Sequence, residues 1–150
     1  MLIFREERFA DVIGEARPMI ERHWEESARN RSRVPLNMDH ARYAALDDRR
    51  QLLILTARNA EKLVGYAVYF VLPFGTMHSV GTPWAQSDVY WVDPWWRRPR
   101  VALRLFRGVE LALAARGVRI MQTHAICASV VRLLEFLGHA QVETVLAKAL

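Results

Sequence analysis

Only one cysteine, Cys127, and two lysines, Lys62 and Lys148, occur in this chain of 150 residues. A lone thiol excludes an internal disulfide, and with it the small scaffolds that replace a core by cross-links; the setting it favours is reducing and cytoplasmic. No apolar run is long enough for a membrane-spanning helix, and Met1-Leu2-Ile3-Phe4 gives way at once to charge, unlike a secretory leader. The glycine-rich GxGxxG dinucleotide loop is missing. So are repeats, low-complexity tracts and linkers, and a chain of this length is expected to form one domain, residues 1–150, with a real core. What is abundant is arginine. With 21 Lys and Arg against 16 Asp and Glu the net charge is +5, and the guanidinium fork suits bidentate contact with phosphate. Charge alone does not say whether that phosphate belongs to a nucleotide or a nucleic acid.

Periodicity predicts the elements. Leu2–Phe4 reads as a short strand. Phe9, Val12, Ile13, Ala16, Ile20 and Trp24 recur every three or four residues as on an amphipathic helix, which Pro18 is expected to kink or split. The polar stretch 25–33, with Asn30 and Ser32, reads as a loop beside a cleft, and Asp39 as the cap of a second helix through Leu46. Gln51–Arg58 and Leu63–Leu72 predict an antiparallel hairpin. Pro73, Gly75, Gly81 and Pro83 bracket a mobile connection that could wall a pocket. Trp84–Val92 is the next strand, Arg100–Arg116 a helix stopped by Gly117, Val118–His124 a strand, Ser129–Leu137 a helix, and Val142–Ala147 a closing strand. This order predicts a mixed α/β domain and argues against a regular Rossmann sheet. The closing strand, short and apolar, is the expected edge for pairing or exchange in a homodimer.

The stretch from Ser87 to Glu110 carries the chemistry. A strand runs into a turn holding Pro94, Trp95 and Trp96, then Arg97, Arg98 and Arg100 open a long helix. Free N–H groups at a helix start bind anions, and three arginines deepen the positive field there. Trp84, Trp91, Trp95 and Trp96 read as core or pocket wall, and no RRM, KH or zinc-finger pattern suggests a nucleic-acid partner. His23, Glu21 and Glu25 lack the third and fourth ligands of a zinc site, so no metal is expected. Cys127 lacks a Cys-His-Asn arrangement and reads as a buried structural thiol.

With this order of elements the whole chain resembles the GNAT-type, acetyl-CoA-dependent N-acetyltransferases, and within them the small phage and bacterial members. Arg97-Arg98-Pro99-Arg100-Val101-Ala102 stands at the family's Gln/Arg-x-x-Gly-x-Gly/Ala motif, preceded by Val92-Asp93-Pro94-Trp95-Trp96. Leu133-Leu134-Glu135-Phe136-Leu137-Gly138-His139 resembles its C-terminal Leu-Tyr-x-x-Leu-Gly-Phe segment. The resemblance implies a mostly antiparallel central sheet with helices on both faces and a splayed central strand pair. It also implies acetyl transfer to an amine of a small molecule or protein, without a membrane. Coenzyme phosphates would meet Arg97, Arg98 and Arg100 and the N–H groups of Val101, Ala102 and Leu103. Val92 would supply a backbone donor in the splay, and Ser129 a hydrogen bond from the next helix.

For proton transfer the candidates are Asp88, His124 or ordered water, with Tyr90 positioning substrate; strict alternation puts Asp88 and Tyr90 on one side of their strand. Arg100 stands at a family glycine, Pro99 removes an N–H, and Leu134 replaces the tyrosine proposed as general acid. These departures keep open a second reading, a catalytically silent GNAT-like interaction protein.

Overall fold

Strands covered on both faces must be apolar on both sides of their two-residue period, and two stretches of this chain are. Leu52–Asn59 (β2) turns Leu53, Leu55 and Ala57 to one layer and Leu52 and Ile54 to the other. Lys62–Leu72 (β3) pairs with it antiparallel through the expected hairpin, whose turn holds Ala60 at φ 51°. This computed structural model describes residues 1–29 and 31–148; Asn30 lies outside the described residues.

The remaining elements are β1 (Leu2–Glu6), α1 (Phe9–Ser27), α2 (His40–Asp48), β4 (Gly75–Thr76), β5 (Ser79–Val80), β6 (Trp84–Val92), α3 (Pro99–Ala115), β7 (Ile120–Gln122) and α4 (Ala128–Phe136). A 3₁₀ turn, Pro94–Trp96, links β6 to α3. Five strands form one sheet in the order β1-β2-β3-β6-β7, antiparallel except for the parallel β6–β7 pair. On one face α3 buries Leu105, Val109 and Leu113 against Leu53, Leu55 and Ala57. On the other, α1 buries Phe9, Val12, Ala16 and Met19 against Leu52, Ile54, Val68 and Trp91. This is the expected mixed α/β architecture with helices on both faces.

Several local expectations are corrected. Pro18 neither splits α1 nor starts a second helix: Val12 and Ala16 before it and Met19 after it are all buried, so packing on both sides carries the helix past the missing hydrogen bond. The helix also continues to Ser27, through residues expected in the loop. The connection after β3 folds into the small β4–β5 hairpin and does not wall the main cavity. β7 spans three residues rather than Val118–His124.

Val142–Ala147 is not a strand, and the dimer expected through it has no strand there to exchange. Val142, Val145 and Leu146 are all exposed, and β7 offers only three residues of edge to pair with. Other expectations hold. Asp39 accepts the Arg42 N–H at 2.9 Å and caps α2, while Gly117 ends α3 at φ 78°.

Candidate active site

One surplus residue in β6 shapes the site. Val68 pairs with Val89 but Tyr69 pairs with Ser87, so Asp88 is the extra member of a β-bulge. The expected alternation therefore breaks: Asp88 and Tyr90 do not share a face. Asp88 meets Tyr43 of α2 on the α1 side, whereas Tyr90 stacks edge-on against Phe106 of α3 with ring centroids 5.1 Å apart.

On its own face Asp88 lies at the sheet wall of a cavity of about 440 Å³, bounded also by α1, α2 and the connection between them. The Tyr43 hydroxyl donates to the carboxylate in a hydrogen bond. Burial pushes the Asp88 carboxyl above the usual aspartate range, and the Tyr43 hydrogen bond only partly opposes it. Tyr43 and Tyr66 are themselves raised, first by burial and then by the neighbouring Asp88 charge, so both stay protonated. His23 shares a 2.8 Å hydrogen bond with Tyr66 and lies against Trp91; burial lowers its pKa and keeps it neutral. Tyr43 and Tyr66 escaped the sequence reading because nothing in either local pattern marks a residue whose role arises from tertiary convergence.

The opposite face of the bulge holds the other candidates. β6 and β7 pair only through Trp84–Ile120, Ala85–Met121 and Gln86–Gln122, then part. His124 bridges the parting: its backbone N–H donates to Ser87 Oγ at 2.8 Å. Its Nδ1 lies 3.2 Å from the Ser87 carbonyl, and its Nε2 lies 3.2 Å from the Gln86 amide nitrogen. An Nδ1–H tautomer satisfies both ring nitrogens against β6. The Tyr90 hydroxyl donates to the His124 carbonyl at 2.7 Å, and burial pushes its pKa up to about 12. His124 and Tyr90 thus clasp each other across the splay, while Asp88 alone of the three faces the cavity. Beyond the clasp, Asp93 N–H donates to Val64 on β3. Successive N–H groups of a strand point to opposite edges, so that of Val92 points to the side β7 has left.

At the start of α3 the three arginines differ. Arg97 grips both carboxylate oxygens of Glu26 at 2.5 and 2.6 Å, donates to the Val92 carbonyl, and lies over the Trp91 ring. It ties α1 to the end of β6. Arg98, the N-cap, and Arg100 are exposed, with no side-chain partner among the described residues. Val101 and Ala102 N–H groups both donate to the Arg98 carbonyl, at 2.9 and 3.3 Å. Leu103 lies past the first turn, where helical N–H groups are already paired, so the Arg100 N–H is the free donor of this turn. Ser129 lies in the first turn of α4, its hydroxyl 3.1 Å from Cys127 Sγ. Cys127 is exposed rather than buried, and Ser129 together with backbone N–H groups lowers its thiol pKa. Among the described residues no three of His, Cys, Asp and Glu come together as metal ligands, and no helix is long and apolar enough to cross a membrane.

A model of the acetyltransferase (GNAT) family matches residues 17–136. The chain belongs to the GNAT family. Solved GNAT-fold structures agree over nearly its whole length. An aminoglycoside acetyltransferase from an uncultured soil metagenomic sample, in complex with sisomicin, is 17% identical with a TM-score of 0.70, over 99% of this chain and 96% of that one. A ribosomal-protein-alanine N-acetyltransferase from Brucella melitensis biovar Abortus 2308 is 17% identical with a TM-score of 0.71, over 100% and 99%. A predicted acetyltransferase from Clostridium acetobutylicum, determined with acetyl-CoA, is 12% identical with a TM-score of 0.74, over 99% and 96%. No curated protein matches in sequence. Members of the GNAT family are acetyltransferases that use acetyl-CoA, and the residues of this GNAT domain suit that molecule. β6 and β7 cease to pair after Gln86 and Gln122, the Val92 N–H points to that side, and among the described residues the Arg98 and Arg100 guanidinium groups at the α3 N-terminus have no partner.

Proposed function

We propose that this GNAT protein transfers the acetyl group of acetyl-CoA to a primary amine bound in the α1–α2 cavity. The observation that carries the reading is Asp88, a carboxylate raised in basicity by burial, set on the bulge at the sheet wall of the cavity, two residues past Gln86, the last β6 residue that pairs with β7. Acetyl-CoA supplies an activated acyl group on a thiolate leaving group. Asp88 takes the proton that the attacking nitrogen must lose, and Tyr43 holds the carboxylate in place for it. The Val92 N–H lies where a polarised carbonyl would accept it. His124 and Tyr90 keep the two strands at a fixed separation past their last pair. Leu134 is buried and has no proton to give, so a departing thiolate takes its proton from water.

Arg98 and Arg100 bind the coenzyme phosphates in this reading, and Arg97 acts through the α1–β6 joint. Calorimetry separates the two roles. Arg100→Ala should weaken acetyl-CoA binding about ten-fold with the melting temperature unchanged, as expected for loss of one charge-assisted hydrogen bond. Arg97→Ala should lower the melting temperature, because Glu26 and the Trp91 face lose their partner. Arg100→Gly distinguishes attraction from obstruction: tighter binding than wild type would make Arg100 a steric block. Absence of acetyl-CoA binding at millimolar ligand to folded protein sinks the enzymatic reading altogether.

The silent-protein alternative draws on Pro99, which leaves one N–H fewer at the α3 start, and on the buried Leu134. Acetyl-CoA binding without product from any amine would favour it.

A further inference from the structure

The cavity lining is mostly apolar, and its neutral polar side chains are largely engaged with one another: Ser27 donates to the His23 carbonyl, His23 bonds Tyr66, and Tyr43 donates to Asp88, which leaves, among the described residues, the Asn37 amide. Val12, Ala16 and Ile20 of α1 face Ile54 and Val68 of the sheet, and Leu36 in the α1–α2 connection covers them. Two carboxylates border this space, Asp88 and Asp39, and Asp39 is committed to the α2 cap, where it accepts the Arg42 N–H. Among the described residues Asp88 makes no ion pair; its partner is the neutral Tyr43 hydroxyl. No arginine or lysine among the described residues lines the cavity, although Arg17 stands with Glu21 in a smaller outer pocket of about 310 Å³ that shares Ile13, Ile20 and Leu36 with it.

This arrangement discriminates among amines. One ammonium group entering the cavity finds one carboxylate, but each further ammonium of a polycation would lose its water and gain no counter-charge. A peptide amino terminus brings several amide N–H and C=O groups, and a lining in which, among the described residues, only Asn37 has an uncommitted side-chain amide or hydroxyl leaves most of them unpaired. An alkyl or aryl body gains from every methylene it removes from water. The volume, about 440 Å³, lies in the range of small-molecule sites.

We infer that the acceptor is a monoamine with an apolar body, an alkylamine or arylalkylamine, whose nitrogen meets Asp88 and whose hydrocarbon lies between α1 and the Leu36 segment. The inference rests on the acetyltransferase reading for its chemistry but not for its binding, and the test separates the two. Calorimetry of the protein with n-propylamine through n-hexylamine and 2-phenylethylamine, with and without acetyl-CoA, should show affinity rising about four-fold per methylene. Thiol release from acetyl-CoA should follow the same series in kcat/KM, with kanamycin, spermidine and an alanine-terminated peptide turned over poorly.

Ala16→Phe, which fills the cavity, should move the preferred amine to a shorter chain while leaving acetyl-CoA affinity unchanged. Ile20→Ala, in case the first variant fails to fold, should move it to a longer one. Amine affinity that ignores chain length, or preference for the polycations or the peptide, overturns the inference whether or not acetyl groups are transferred. Graded alkylamine binding without acetyl-CoA binding upholds this cavity assignment and overturns only the acetyltransferase reading.

Discussion

Asp88→Asn is expected to lower kcat/KM for amine acetylation by roughly 10²–10⁴-fold and, in the same protein, to raise the melting temperature. Asparagine keeps an oxygen to accept the Tyr43 hydroxyl but can neither take a proton nor carry charge. Burial raises the Asp88 pKa in the folded state, with the Tyr43 hydrogen bond opposing it only in part. A carboxyl raised by folding contributes stability that is fully present below its unfolded pKa and lost as the pH climbs through the folded value. At neutral pH the wild-type fold therefore holds an ionised group that it disfavours, and the asparagine variant does not. The difference in melting temperature should vanish in acid, below the ordinary aspartate range. The rising limb of the wild-type pH–rate profile should likewise disappear in the variant. If instead Asp88 serves only as a strut for Tyr43, Asp88→Asn will keep both its rate and its pH profile.

Arg58→Met should cost about 3–5 kcal/mol of stability, as removal of one partner from a buried ion pair does. The Arg58 side chain is 6% exposed and that of Glu7 11%. Its guanidinium donates to Glu7 at 2.9 Å, to Glu15 at 2.8 Å and to the Glu61 carbonyl, joining the start of α1 to the β2–β3 turn. Burial alone would raise the Glu7 pKa, yet hydrogen bonds led by that from Arg58 hold it below the usual glutamate range. That sign places the stabilisation above the unfolded pKa, to be lost as pH falls through the folded one. Denaturant unfolding should thus show the gap between wild type and Arg58→Met narrowing in acid. Adding Glu7→Gln should restore part of the loss at neutral pH, since the stranded charge is removed. Equal stability of wild type and Arg58→Met at neutral pH would contradict this account.

The elements that sequence reveals here are those whose energetics are local or strictly periodic. β2, β3 and α3 carry unbroken patterns of burial, and Asp39 and Gly117 mark ends through their own caps and dihedral angles. Asp88 is legible as a charge in an otherwise half-buried strand, and the turn after Val92 through its likeness to the family motif. The direction in which Asp88 points was not legible. A bulge without glycine leaves no compositional mark, and period-two counting gave the wrong face for Tyr90. The fate of Arg97 depends on Glu26, 71 residues away, so its local surroundings suggested phosphate where the fold supplies a carboxylate. Val142–Ala147 shows the reverse error. Val142, Thr144 and Leu146 would share one face of a strand, but Val142 and Leu146 are exposed in the fold, where, among the described residues, no element lies to cover that face.

The surplus residue in β6 lets two consecutive side chains border the cavity where a regular strand would offer one. Val89 is 36% exposed and a substitution scan would pass over it. Deleting it would restore one-to-one pairing, with Asp88 opposite Val68 and Tyr90 still opposite Ala67. Trp91 would keep Arg22, Arg97 and Glu26, and Tyr90 would keep Phe106. What would go is the local kink and extra twist that a bulge gives its strand, together with the second of two consecutive side chains, Asp88 and Val89, that border the cavity. The bulge sets the aim of Asp88 and the room beside it, while the faces of Tyr90 and Trp91 need no bulge at all.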